Sequence, residues 1–461
     1  MQSRLEKDIP ETNTGRRTRQ QIKQRAVYPS TGNGDTSPRR YRSMIKIFRK
    51  IAIGVVAIAM LFGTLFVATG CNGIQTVFAW YEGDGAPIPQ QLVMNAGETL
   101  TVSASHFQDL DFEFDRFELF VTNENGKSTF YGNMDNMIDN GFRNGYLDLV
   151  SIQNNIITAV DNGFVEIVAV LWEPRTSGRV QSLRGVLVAH IHVINEATMT
   201  PITTPEELAA MNDNLSGHFI LMDYIDLGDW GEWTPIGHTT RYYEENQFFR
   251  GIFVNPHGYT ISNLTITTSE TAVGTGFLGS GDVGLFGKVG GGSGTGRPLI
   301  CGIILEDLFI DVSDFEWIEF AGSPQVGGIA ASASWYAIIQ NVSVNGTIIG
   351  GGFATGGIAG VNSGIIVNCT FRGEIIGPMT ALDPLAGVGG IVGLNATAAN
   401  NDIRDNRVYA DIIGNDANTG GIIGYNFHYG FLANSFFTGT ITGRITGDLV
   451  GLDNWSHIRP Q

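Results

Sequence analysis

Gly357-Ile-Ala-Gly-Val-Asn-Ser-Gly-Ile-Ile-Val-Asn-Cys-Thr-Phe371 decides the fold, because the chain keeps returning to it. Its opening recurs as Gly390-Ile-Val-Gly393 and Gly421-Ile-Ile-Gly424, preceded by Gly284-Leu-Phe-Gly287 and Gly328-Ile-Ala-Ala331 and followed by a degenerate Asp448-Leu-Val-Gly451. The starts lie 44, 29, 33, 31 and 27 residues apart. Its ending, Ile366-Val-Asn-Cys-Thr-Phe371, belongs to a second track out of phase with the first. That track also reads Ile261-Ser-Asn-Leu-Thr-Ile266, Leu305-Glu-Asp-Leu-Phe-Ile310, Ile339-Gln-Asn-Val-Ser-Val344, Ile403-Arg-Asp-Asn-Arg-Val408 and Leu432-Ala-Asn-Ser-Phe-Phe437. The third position is always Asn or Asp: Asn263, Asp307, Asn341, Asn368, Asp405 and Asn434.

Two short strands per period, with turns and no helix, predict one coil of a parallel β-solenoid, whose apolar interior is completed only by the next coil. Six coils at strand spacing make a rod of about 29 Å. The glycines are expected to supply left-handed backbone at corners and close approach between stacked chains. The Asn/Asp column is expected to stabilise a corner through hydrogen bonds between coils. Ahead of the coils, Thr204-Pro-Glu-Glu207 has the form of a capped helix start, with Thr204 as N-cap and Glu207 closing a capping box. A helix there, to about Met211, would cover the open edge of the first coil.

Further toward the amino end the pattern becomes alternating runs between turns. Examples are Thr99-Leu-Thr-Val-Ser103, Phe117-Glu-Leu-Phe-Val121, Phe164-Val-Glu-Ile-Val-Ala-Val170 and Val186-Leu-Val-Ala-His-Ile-His-Val193. Asp161-Asn-Gly163 is a hairpin-type turn signal, and the spacing predicts a β-sandwich over 74–196. His190 and His192 alternate on one face, a spacing that can ligate metal; with no third ligand nearby, an exposed strand face is the expectation.

The amino terminus is an address. Residues 1–70 hold 13 Lys/Arg and 4 Asp/Glu, and the remaining 391 hold 15 and 41, so a net +9 precedes a net −26. So acidic a body disfavours nucleic acid as a partner. Residues 1–43 are a basic, unpatterned segment or an upstream extension, with Met44 a second candidate start. Ile51 to Thr69 then carries no charge over 19 residues, enough to span a bilayer, and the charges flanking it place the body outside the membrane. Two readings of 44–71 stand side by side: a retained helical anchor, or a lipoprotein signal peptide whose Ala68-Thr69-Gly70-Cys71 resembles a bacterial lipobox with Cys71 as the acylated residue. Only Cys301 and Cys369 remain beyond it, which is no disulfide framework.

Two further resemblances extend this picture. Ile156 to Val193 is similar to the end of group 2 bacterial immunoglobulin-like domains. From the capped helix onward, Phe219-Ile-Leu-Met-Asp-Tyr-Ile-Asp-Leu227, Trp233-Thr-Pro-Ile-Gly237, Phe249-Arg-Gly-Ile-Phe253, Gly258-Tyr-Thr-Ile-Ser-Asn-Leu264 and Gly284-Leu-Phe-Gly287 resemble, in order, the GLUG-motif repeat proteins of bacterial surfaces. Val254-Asn-Pro-His257 departs from their usual D-G-N turn. The resemblance covers 200–461 and implies an all-β chain: an immunoglobulin-like sandwich, then a right-handed parallel β-helix of about six coils. It implies a non-catalytic module used in adhesion or display at the bacterial cell membrane, with an extracellular glycan or protein as partner. No catalytic residue, cofactor or metal follows from it.

An enzymatic alternative needs paired carboxylates. The candidates are Asp402, Asp405 and Asp411 with Arg404 and Arg407, and Asp311, Asp314, Glu316 and Glu319; the plainer expectation is a solvated strand face and a polar loop. Only Lys127 and Lys288 lie beyond the anchor, which leaves little room for a lysine base. Calcium has no spaced ligand loop. Sugar-stacking platforms could come from Trp230, Trp233, Phe248 and Phe249, or from Trp317, Trp335 and Tyr336. A spacer with neither site is the third possibility.

Overall fold

Each period of the sequence becomes one coil, built from four short strands rather than the two that the motif tracks suggest. A computed structural model describes residues 68–69, 75–80, 90–122, 148–173, 181–237, 248–267, 282–290, 297–313, 324–334, 336–350, 353–378, 385–396, 402–427 and 431–453. The chain divides into Met1–Thr64, which lies outside the described residues, and a compact unit Leu65–Gln461. Of the 44–71 anchor only Ala68–Thr69 is described, as a short strand against Gln75–Trp80, and Cys71 lies outside. Among the described residues no helix is long and apolar enough to cross a membrane.

One coil shows the plan of all six. Its strands are Ile365–Val367, Thr370–Ile376, Gly387–Gly389 and Val392–Asn395. The equivalents in every coil pair in parallel, giving four sheets, here I to IV in chain order. Register is continuous along the stack, as in Leu299↔Ile338↔Ile365↔Asp402↔Phe431 on sheet I. Strands of three residues carry no readable alternation, so the sequence pattern could not separate them. The Gly-hydrophobic-hydrophobic-Gly core spans the corner between sheets III and IV.

Of the two roles expected of those glycines, close approach is the one they fill. A Cβ on Gly357 would meet the Gly390 carbonyl oxygen at 2.2 Å, and one on Gly390 would meet that of Gly421 at 2.2 Å. None of the motif glycines has positive φ. The left-handed backbone falls instead on the Asn/Asp column at the corner between sheets I and II: Asn263, Asp307, Asn341, Asn368, Asp405 and Asn434 all have φ between 47° and 60°. Asn and Asp tolerate that region better than any other residue with a Cβ. The expected stacking is present in part, with Asn368 Nδ2 donating to Asn341 Oδ1 at 2.8 Å and Asn263 Nδ2 to Asp226 Oδ1 at 2.7 Å.

The solenoid interior is filled by inward residues such as Ile300, Ile339, Ile366 and Ile403 from sheet I and Val344, Phe371 and Val408 from sheet II, all fully buried. Its first end is closed by Pro205–Ala209, whose Leu208 joins that core together with Met211. Thr204 caps the helix, its Oγ1 accepting from Glu207 N at 3.2 Å. The Glu207 carboxylate turns back one residue further than a capping box requires, accepting from Thr203 N and Oγ1 at 2.7 and 2.8 Å.

Before residue 196 the described strands form a six-stranded sheet and an antiparallel three-stranded sheet (Thr99–Thr101, Val150–Gln153 and Ile156–Ala159). They share one core, in which Val165, Ile167, Ile191 and Val193 pack with Val150 and Ile157. The other face of the larger sheet is also covered. On it Phe164 and Glu166 pair across strands with His192 and His190, and that end of the sheet meets the solenoid.

Candidate functional site

Two outward-facing surfaces of the solenoid carry chemistry, and they differ in what lies on them. Outward positions of sheet I are apolar for four coils: Ile252 and Val254, Leu299, Ile338, Ile365. With Ile220 from the preceding turn they are buried in one cluster with Val93 and Ile194 of the amino-terminal sheets and Met199 of the connection. Beyond it Asp402 and Arg404 take the same positions. A strand buried on both faces reads as an unbroken apolar run, and Phe219-Ile-Leu221, Ile252-Phe-Val254 and Leu299-Ile-Cys301 are such runs. That signal was available in the sequence.

His190 and His192 sit at the edge of this seam and not on an exposed face: their exposures are 7% and 2%. His190 Nε2 and Arg297 Nη2 each lie 3.4 Å from Glu166 Oε1. The Arg297 guanidinium stacks over Phe164 and Tyr336, 5.0 Å from each ring centre. His192 Nε2–H donates to the Arg297 carbonyl oxygen at 2.9 Å. Burial holds the His192 pKa down to about 4, with the positive charge of Arg297 acting the same way and the carbonyl contact opposing. A neutral imidazole bonded to a backbone carbonyl is a structural joint. Among the described residues no three His, Cys, Asp or Glu side chains gather as a metal site.

The other sequence candidates disperse. Asp402 lies on the outer face of sheet I in a 2.7 Å ion pair with Arg404, its pKa raised by burial against the opposing pull of that arginine. Asp405, at the corner, pairs with the same Arg404 at 3.8 Å, while Asp411 stands apart on sheet II, where its Oδ1 accepts from Thr440 Oγ1 at 2.6 Å. Asp311 accepts from Ser313; Asp314, Glu316, Glu319, Trp317, Trp335 and Lys127 lie outside the described residues. Lys288 pairs with buried Asp282 at 3.1 Å. Trp233 is a core residue, 1% exposed, its indole N–H donating to Leu285 O at 3.1 Å. Phe249 is likewise buried, which leaves Trp230 as the exposed member of that group. Tyr336 stacks on Arg297. Cys301 and Cys369 are free thiols; burial raises both pKa values, that of Cys369 to about 12.

Sheet II presents the second surface. Its seven-residue strands Ser343–Ile349, Thr370–Ile376, Arg407–Ile413 and Phe436–Thr442 alternate inward apolar residues with outward ones that are mostly polar, ending in an outward isoleucine in the first three. Three aromatic rings stand among the outward positions: Phe309 at 40%, Tyr409 at 38% and Phe436 at 52% exposure. Arg372 lies over the Tyr409 ring at 4.8 Å, and Tyr409 meets Phe436 edge to face at 6.2 Å. Around them are Asn345 bonded to Glu306 at 2.7 Å, Glu374 in register beside Asp411, and Thr438 and Thr440. No local pattern announces this grouping, because the three rings fall in different periods and only register brings them onto one face.

A second buried column also escaped the motif tracks. Asn362, Asn395 and Asn426 end successive sheet IV strands, with Asn362 Nδ2 donating to Asn395 Oδ1 at 3.1 Å and Asn395 Nδ2 to Asn426 Oδ1 at 2.9 Å. Their constant offset, two residues after Gly360, Gly393 and Gly424, is the signal that could have found them. Protein-family models give no match to the chain, and no curated protein matches it.

Proposed function

We propose that the chain is a non-catalytic surface lipoprotein whose β-helix binds or displays, plausible partners being an extracellular glycan or protein. In this reading Cys71 carries the lipid, or Ile51–Thr69 stays as the anchor, and the body stands outside the bacterial cell membrane. The amino-terminal sheets are an immunoglobulin-like sandwich, and the coils a right-handed β-helix of the GLUG-motif kind. The observation that carries it is the outer face of sheet II: exposed aromatic rings on a rigid parallel sheet, with polar groups between them. Asp402 and Asp405 are both tied to Arg404, and Asp411 stands apart on sheet II; this supports binding over hydrolysis, since the latter needs two carboxylates free to act across one bond. Retention of the compact unit Leu65–Gln461 on a panel of insoluble polysaccharides and extracellular matrix proteins tests the binding reading. Saturable retention on at least one is expected; passage through all of them would favour a spacer. Acylation of Cys71, read by mass spectrometry of the mature protein, separates the two anchors.

A further inference from the structure

The outer face of sheet II has a direction. Its strands pair in register, so outward side chains form rows along the rod with one step per coil, about 4.8 Å. Phe309 stands in the row of Thr347, Glu374, Asp411 and Thr440; Tyr409 in the row of Asn345, Arg372 and Thr438; Phe436 in the row of Ser343, Thr370 and Arg407. The three rings therefore trace a diagonal over five coils. Four coil steps and four residues of strand separate its ends, about 23 Å.

Resting on the binding reading above, we infer that this diagonal takes an uncharged polysaccharide, one extended chain laid across the coils with sugar faces on Phe309, Tyr409 and Phe436. Phe309 stands apart and Tyr409 meets Phe436 edge to face, so the apolar surface is two small islands among hydroxyls, amides and charged groups. That mixture matches a sugar, which offers an apolar C–H face and a polar rim, better than a protein partner. A protein interface needs a contiguous, desolvated centre among some 800 Å² per side. Arg372 holds the Tyr409 ring from the neighbouring strand, so the platform is fixed before a ligand arrives. Glu374, Asp411 and Thr438 offer acceptors and a hydroxyl around Tyr409, and Thr347 offers a hydroxyl beside Phe309. The charge on the face sets the class of polymer: Glu306, Asp311, Glu374 and Asp411 outnumber Arg372 and Arg407, and the body as a whole is acidic, so polyuronates and sulfated chains are repelled.

Calorimetry of the full chain in mild detergent with neutral β-linked gluco- and xylo-oligosaccharides of increasing length tests this. Affinity should climb with length and level off at about five sugars, the number that about 23 Å of track holds. Tyr409→Ala and Phe436→Ala should each weaken binding about tenfold or more, with thermal unfolding lowered only slightly, since each ring stands outside the core and loses only surface contacts. A full-length response to a single sugar, an undiminished affinity in both variants, or a preference for polygalacturonate would overturn the inference. Retention on a matrix protein without any oligosaccharide binding would sink the glycan inference and leave the binding reading standing. Binding to neither class would remove both.

Discussion

Sheets I and II are built from the same coils, separated by one Asn or Asp corner, yet their outer faces have opposite fates. On sheet I the outward residues beneath the amino-terminal sheet are mostly aliphatic, with Cys301 and Gln340 among them, and turn to Asp402 and Arg404 one coil later. On sheet II they are mostly polar or charged, with an isoleucine ending three of the strands and three exposed aromatic rings. The inward residues of both are interchangeable in kind. What a coil does is therefore written in its outward positions, which the stacking of the solenoid leaves unconstrained.

The sharpest way to break the contrast is to place the same charge on both faces. Leu299→Asp buries an unpaired carboxylate in the seam and should cost more than about 4 kcal/mol. Thr370→Asp, on sheet II, should change stability by less than about 0.5 kcal/mol. Denaturant unfolding of the two variants reads the difference.

Removing one partner of the seam's ion pair comes next. Arg297→Ala takes the guanidinium away from buried Glu166 and should cost about 3–5 kcal/mol. A double variant Arg297→Met with Glu166→Gln should recover part of it, which measures how much of the loss is stranded charge.

Acid should loosen the seam and spare sheet II. His192 is neutral and buried, with a folded pKa of about 4 against an ordinary 6.5. Burial lowers the His218 pKa as well. A depressed histidine binds fewer protons when folded, so its contribution is complete above about pH 6.5 and is lost as the pH falls toward 4. For His192 alone that amounts to about 3 kcal/mol. Unfolding at pH 7, 5.5 and 4 should show it, and His192→Asn should flatten the profile.

The smallest effect belongs to the corner between the faces. Asn368→Ala forces a plain Cβ residue into φ 52° and removes the bond to Asn341, for about 1–2 kcal/mol. Asn368→Gly keeps the backbone and loses only the bond, so it should recover much of that. Equal losses in both would assign the column to the side-chain ladder alone.

The legible parts of this fold were those that repeat. The Gly-Ile-Ala-Gly cores and the Asn/Asp track each recur once per coil, so coil stacking and the coil count could be read directly. Four strands per coil could not, because Gly387–Gly389 and its equivalents are too short to show a period. Position 368 and its relatives read as a corner from the Asn/Asp repeat, but the left-handed backbone expected of the glycines falls on them instead. The burial of His190 and His192 is not legible, because nothing local announces a neighbour 105 residues away at Arg297. Large rings drew attention at Trp233, which fills the core. Tyr409 and Phe436 did not, since an aromatic in an outward strand position is unremarkable until register sets it beside another.

Hydroxyl-radical footprinting of the full chain measures side-chain access on both faces in one experiment and tests the contrast most directly. Phe309, Tyr409 and Phe436 should label rapidly, while Leu299, Ile338, Ile365 and His192 stay protected until the chain unfolds. Labelling of Leu299 and His192 at the rate of Tyr409 would mean that the amino-terminal sheets do not lie on sheet I, and the account of the two faces would be wrong.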